Sequence, residues 1–199
     1  AAPAYGYVED SKAGERKSFQ LSDGTKVMLN AGSTIKVAKN FNISSREILL
    51  EGEAFFDVAH NAQKPFIIHT VSMDVKVLGT AFNIRAYPSD KTTETSLLNG
   101  SVEVTVKNYP GKAVILHPNE KIILPNNNVQ ENDPASPAPR ARTLPAAKEK
   151  YKISGLTYSP MDSSLVEVCW TDNKLAFDSD SFEDIAVRLE RWYNVSIHF

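Results

Sequence analysis

From Ser18 to Leu124, apolar and polar residues alternate in short runs broken by Gly, Asn, Asp or Pro. Side chains of a strand point alternately to its two faces, so this pattern predicts short antiparallel strands with one face buried. No stretch of useful length there keeps a helical period. "FQLSDGTKVMLNAGSTIKV" reads as strand, turn at Asp23-Gly24, strand, turn from Asn30 to Ser33, strand. Asp-Gly accepts the positive φ angles of a type I′ hairpin, and "TSLLNGSVEVTV" is expected to repeat the device at Asn99-Gly100. In "VSMDVKVLGTAFNIRAY" the apolar residues first take odd positions (Val71, Met73, Val75, Val77) and then even ones (Phe82, Ile84, Ala86). Such a change of phase requires a bulge, a bend or a passage between sheets, and Gly79 is the expected corner. The glycines are spaced too irregularly for the stacked coils of a solenoid, which leaves an antiparallel β-sandwich or jelly roll.

The pattern changes kind after residue 125. Residues 126–150 hold four prolines, no aromatic residue and little that could pack, and read as a linker. Beyond it, "WTDNKLAF" is expected as a strand, "SFEDIAVRLERWYN" as a helix and "VSIHF" as a strand. The helix rests on Phe182, Ile185, Ala186, Leu189 and Trp192 or Tyr193, which recur at helical spacing. Ser181 with Asp184 suits a capping box, Asp184 can pair with Arg188, and Asn194 suits a left-handed stop. The expected organisation is therefore a mainly β unit (1–125), the linker (126–150) and a small α+β unit of βαβ type (151–199). The last run stops at Phe199 without a turn or polar tail, so the second unit is expected to be incomplete and the chain a fragment of a longer protein.

Composition narrows the function. A 42% hydrophobic and 23% charged chain of 199 residues is globular, and a net charge of −2 with no basic cluster gives no footprint for nucleic acid. Cys169 is the only cysteine, which excludes an intrachain disulfide and a cysteine zinc cage; Val168 and Trp170 beside it suggest burial. No run approaches the roughly 18 to 20 apolar residues of a membrane span, and any leader or anchor is expected outside this sequence.

"LEGEAFFDVAH" gathers Glu51, Glu53, Asp57 and His60. On a strand over 47–58, Leu50, Gly52, Ala54, Phe56 and Val58 share one face, while Glu51, Glu53, Phe55 and Asp57 share the other. The acids are then expected on a solvated or salt-bridged face, with His60 pointing away from them. The four histidines (60, 69, 117, 198) lack chelating spacing, and no nucleophile elbow, phosphate loop or dinucleotide fingerprint occurs. No enzyme, cofactor or metal is expected. Two less favoured functions have candidate residues. A carbohydrate-binding sandwich would expose aromatics such as Tyr5, Tyr7, Tyr87 and Tyr109, and a glycan hydrolase would need Glu51 and Glu53 across a cleft.

"LSDGTKVMLNAGSTIKV", "REILLEGEAFFDVAHNAQKPFIIHT", "VKVLGTAFNIRAY" and "TETSLLNGSVEV", in that order, resemble the periplasmic domain of FecR-type sigma-factor regulators. "WTDNKLAFDSDSFEDIAVRLERWYNVSIHF" is similar to the smaller domain that follows it in Bacteroidetes members. The resemblance implies the periplasmic region of a single-pass inner-membrane protein. It also implies two partners: the signalling domain of an outer-membrane TonB-dependent receptor, and an extracytoplasmic-function sigma factor bound by a cytoplasmic region outside this chain. Leu175, Phe177, Phe182, Arg188, Arg191, Trp192, Tyr193, Val195, Ile197 and Phe199 are the expected partner-binding residues, through the helix or the strand edges beside it.

Overall fold

A computed structural model describes residues 3–107, 113–126 and 151–198. Its strands are β1 (Tyr5–Asp10), β2 (Lys17–Gln20), β3 (Lys26–Leu29), β4 (Thr34–Ala38), β5 (Arg46–Asp57), β6 (Phe66–His69), β7 (Met73–Val77), β8 (Ala81–Ala86), β9 (Thr92–Asn99), β10 (Val102–Val106), β11 (Val114–Leu116), β12 (Glu120–Pro125) and β13 (Lys152–Gly155). They form one sheet that curls over on itself. The first layer runs β11-β10-β7-β6-β5-β4-β1 and the second β2-β3-β5-β8-β9-β12-β13, so β5 belongs to both. Every pairing is antiparallel except β5 with β6. The mainly β fold matches the expectation, with a continuous sheet in place of two separate ones.

The turn of the sheet is built into β5. Its first half pairs with β4 and β6, its second half with β3 and β8, and Gly52 stands at the changeover with φ of +125°. A Cβ there would lie 2.6 Å from Ser33 Cα, so the bend admits only glycine. Ser33 Oγ accepts the Glu53 N–H at 2.9 Å and satisfies the backbone where the ladder changes partner. The expected corner at Gly79 also holds: β7 lies in the first layer, β8 in the second, and a Cβ on Gly79 would meet His60 Cα at 2.7 Å. Asn99-Gly100, expected as a hairpin, is a second crossing between layers. β9 is flanked by β8 and β12, and β10 by β7 and β11, so neither strand has a free edge for the other.

Both inner faces meet in one apolar core. Phe56, Phe66, Phe82, Ile48, Leu50, Ile68 and Ile84 lose all solvent contact, and the Phe56 and Phe82 rings stack at 5.4 Å. Alternation along β5 follows the expected parity, but His60 lies beyond the end of the strand and is exposed, so parity does not place it. Arg46, in phase with Ile48 and Leu50, is buried as well. It pairs with Asp23 at 3.0 Å and donates to the carbonyls of Lys64 (2.6 Å) and Ala59 (2.7 Å), pinning the loop after β5.

The C-terminal stretch adds one helix, α1 (Phe182–Tyr193). Ser181 caps it by accepting the Asp184 N–H, and Asn194 ends it in the left-handed conformation, both as expected. The flanking strands do not form among the described residues. Residues 169–172 make a 3-10 turn closed by left-handed Asn173, because Trp170 inserts into the sheet surface and the chain must fold around it. After α1, the Val195 N–H bonds the Glu190 carbonyl and the Ile197 N–H the Glu190 side chain, so these backbone groups finish the helix instead of pairing. Residues 152–155 lengthen the second layer by pairing with β12. Asn126, expected as the first linker residue, is buried and bonds Thr93 and Asp90. No helix among the described residues is long and apolar enough to cross a membrane.

Candidate functional site: the cleft under the C-terminal segment

Polar side chains on the outer face of β8 would ordinarily face water. Here the C-terminal segment covers them. The Trp170 indole N–H donates to Asn83 Oδ1 at 3.2 Å, and the Asn83 amide donates to Glu53 Oε1 at 2.9 Å. Asn30 donates to the other Glu53 oxygen at 2.8 Å, so a line of hydrogen bonds runs from the segment through β8 and β5 to the β3–β4 turn.

Ion pairs fasten the rest. Lys121 of β12 holds Glu167 at 2.6 Å, and Glu167 also accepts the Thr157 N–H. Arg191 pairs with Asp90 and lies over the Tyr87 ring at 3.8 Å. Lys91 meets Asp184 at 3.1 Å, and Arg188 turns back to Asp180 at 3.4 Å, so the expected Asp184–Arg188 pair is replaced by two others. Arg16 covers Trp192 at 3.9 Å while bonding Asn173.

Between sheet and segment remains a polar cleft of about 220 Å³. Glu53 is enclosed there, and what surface it keeps faces the cleft. Burial raises its pKa against the pull of Arg85, Asn83 and Asn30. The expectation of a solvated acid row thus holds for exposed Glu51, which pairs with Lys36 at 3.3 Å, and for exposed Asp57, but not for Glu53. Glu51 and Glu53 do not form a catalytic pair: one lies in a surface ion pair on the first layer, the other under the segment.

The structure divides the expected partner-binding residues. Trp192 is buried; Arg188 and Arg191 are engaged within the chain; Leu175 and Phe177 are half-buried, with Phe177 under the Arg188 guanidinium at 4.6 Å. Phe182 (66% exposed), Tyr193 (63%) and Val195 (50%) form the outward apolar surface, with Ile197 half-buried beside it. Phe199 lies outside the described residues, as do Tyr109 and the stretch 127–150. Among the proposed sugar-stacking aromatics, Tyr87 is buried and Tyr7 is exposed but bonds Glu9. Sequence reasoning missed Asn83, Arg85 and Glu167. Each reads as an ordinary polar position: the remote segment encloses Asn83 and Arg85, and the sheet's Lys121 holds Glu167. No group of three or more metal-ligating side chains occurs among the described residues.

Comparison with known proteins agrees with this architecture. The model of the FecR protein family matches residues 8–103, and that of the FecR C-terminal region matches 174–199. Two crystal structures, at 2.50 and 1.65 Å resolution, are each of a candidate anti-sigma factor from Parabacteroides distasonis ATCC 8503. Each is 32% identical with a TM-score of 0.74, over 94% of this chain and 75% of theirs. No curated protein matches. The matched family and these 32%-identical relatives are of the anti-sigma class, a regulatory kind of protein. The chain belongs to the FecR family.

Proposed function

We propose that this chain is the periplasmic receiver of a transmembrane sigma-factor regulator. It relays the state of an outer-membrane TonB-dependent transporter to an extracytoplasmic-function sigma factor by binding the transporter's signalling domain. The observation that carries the reading is the outward apolar surface of Tyr193 and Val195 on a segment that is otherwise held down by polar contacts. Large apolar and aromatic side chains left exposed together suit a protein partner, and an aromatic anchor such as Tyr193 commonly contributes 2 kcal/mol or more, roughly thirtyfold in affinity. Arg188 and Arg191 belong to the latch in this reading, so substituting them perturbs the segment's seat rather than the docking surface.

The test uses the full-length regulator in cells carrying a sigma-dependent reporter. Tyr193→Ala with Val195→Ser is expected to uncouple transcription from the transporter's ligand, with the protein level unchanged. Undiminished induction removes the docking surface from this face.

A further inference from the structure

One cation in the cleft is left over. Lys121, Arg188 and Arg191 each have a carboxylate within 4 Å, but Arg85 has neither an ion pair nor a hydrogen bond among the described residues. Its Nε is buried and its side chain lines the cleft. A buried guanidinium N–H without an acceptor is costly, and native proteins rarely leave one so unless something else supplies the acceptor. The strand register shows what surrounds it. Glu53, Arg85 and Glu94 stand directly opposite one another on β5, β8 and β9, giving a row of negative, positive and negative groups across the floor. The carboxylates balance Arg85 from a distance without bonding it. Glu53 is already bonded by two amides, and Glu94 accepts from Ser96 at 3.0 Å.

The cleft walls are apolar at Trp170, Trp192, Leu175 and Ile123. Its volume of about 220 Å³ exceeds the roughly 150 Å³ cavity that takes up benzene, so a molecule of about ten heavy atoms fits. A simple anion would bond Arg85 but face two carboxylates; a simple cation would face Arg85. A molecule carrying both charges a few bonds apart suits such a row, because its carboxylate accepts from the guanidinium fork while its ammonium meets a flanking acid.

We infer that the cleft is a binding site for a small zwitterion of the α-amino-acid type, a free amino acid or a dipeptide with an apolar side chain. Its carboxylate takes the Arg85 Nε–H, its ammonium lies against a flanking carboxylate, Glu53 or Glu94, and its side chain rests on the two tryptophans. The ligand touches sheet and segment together, so binding stabilises the closed arrangement. This site is independent of the docking surface at Tyr193 and stands or falls separately from it.

The experiment follows the Arg85 Nε–H and the Trp170 and Trp192 indole N–H resonances of the 199-residue chain by NMR, assigned with Arg85→Lys and tryptophan variants. The titrants are the standard amino acids, Ala-Leu, N-acetyl-leucine, leucinamide and inorganic phosphate. At least one apolar amino acid or Ala-Leu is expected to shift all three signals saturably, with a dissociation constant below about 10 mM. N-acetyl-leucine and leucinamide, each missing one charge, are expected to bind at least 10-fold more weakly, and Arg85→Gln to weaken the zwitterion by about 10- to 100-fold. The inference is overturned if no zwitterion saturates, if N-acetyl-leucine or phosphate binds equally well, or if a folded Arg85→Gln variant binds unchanged. The wild-type titrations decide the matter even if that variant fails to fold.

Discussion

Trp170→Phe isolates the bond that begins the line into the sheet. The indole is 4% exposed and its N–H is 3.2 Å from Asn83 Oδ1, itself on a residue 3% exposed. Phenylalanine keeps most of the apolar contact but takes the donor away from the buried Asn83 oxygen. An orphaned buried acceptor costs about 1–3 kcal/mol, which is about a 5- to 150-fold change in an opening equilibrium. The segment is attached chiefly by side-chain contacts, with a backbone bond from the Gly14 N–H to the Arg191 carbonyl, while the β core is attached by its strand ladders. The cost should therefore appear as local opening of the segment and not as loss of the fold. Hydrogen exchange followed by mass spectrometry reads both at once. Peptides covering 163–198 are expected to exchange about 5- to 150-fold faster than wild type, with β5 and β8 peptides unchanged. Equal acceleration everywhere, or none in the segment, refutes the claim that Trp170 latches a separately opening unit.

Other expectations test the scaffold. Arg46→Met leaves Asp23 and four backbone carbonyls without their buried partner and is expected to cost about 3–5 kcal/mol, lowering Tm by about 6–20 °C. Adding Asp23→Leu should recover a substantial part, and thermal melts of the four-member cycle check it. Gly52→Ala forces a Cβ into Ser33 at a φ that side chains avoid, an expected loss of about 2–4 kcal/mol in urea titrations; a change within about 0.5 kcal/mol would remove Gly52 as the determinant of the bend. Burial holds the Glu53 pKa above its ordinary 4.5 in the folded state. In the window from that value up to the raised one the native form keeps the extra proton, so the stability Glu53 contributes falls as pH rises. The stability of wild type minus Glu53→Gln should decline from about pH 4.5 upward and then level off; a flat or rising difference contradicts the assigned cause.

What could be read from the sequence was what a single strand records about itself. Alternation placed β3 to β5 and β7 to β10, and the phase change around Leu78 marked the corner at Gly79, because both follow from side-chain direction along one segment. Partner choice is not local in that sense. An Asn-Gly pair announces a reversal at residues 99–100, but whether β9 and β10 pair depends on edges occupied by β8, β12, β7 and β11. Arg46 left a trace that could have been used, a charge in phase with Ile48 and Leu50, which implies a buried partner. Asn83 left none. Its enclosure is set by Trp170, 87 residues later, and by a segment whose short runs look like strands until the tryptophan and the helix caps claim their backbone. The chemistry-bearing cleft was hidden for that reason.

In the function we propose, the segment's outward face receives a transporter signalling domain while its inward face stays latched. Titrating an isotope-labelled chain with that purified signalling domain tests it most directly. Saturable binding is expected, with amide shifts centred on Tyr193 and Val195, Trp170 and Asn83 unchanged, and at least a tenfold loss of affinity in Tyr193→Ala. Absence of binding by the folded chain, or shifts confined to the β layers with Tyr193 silent, would contradict it.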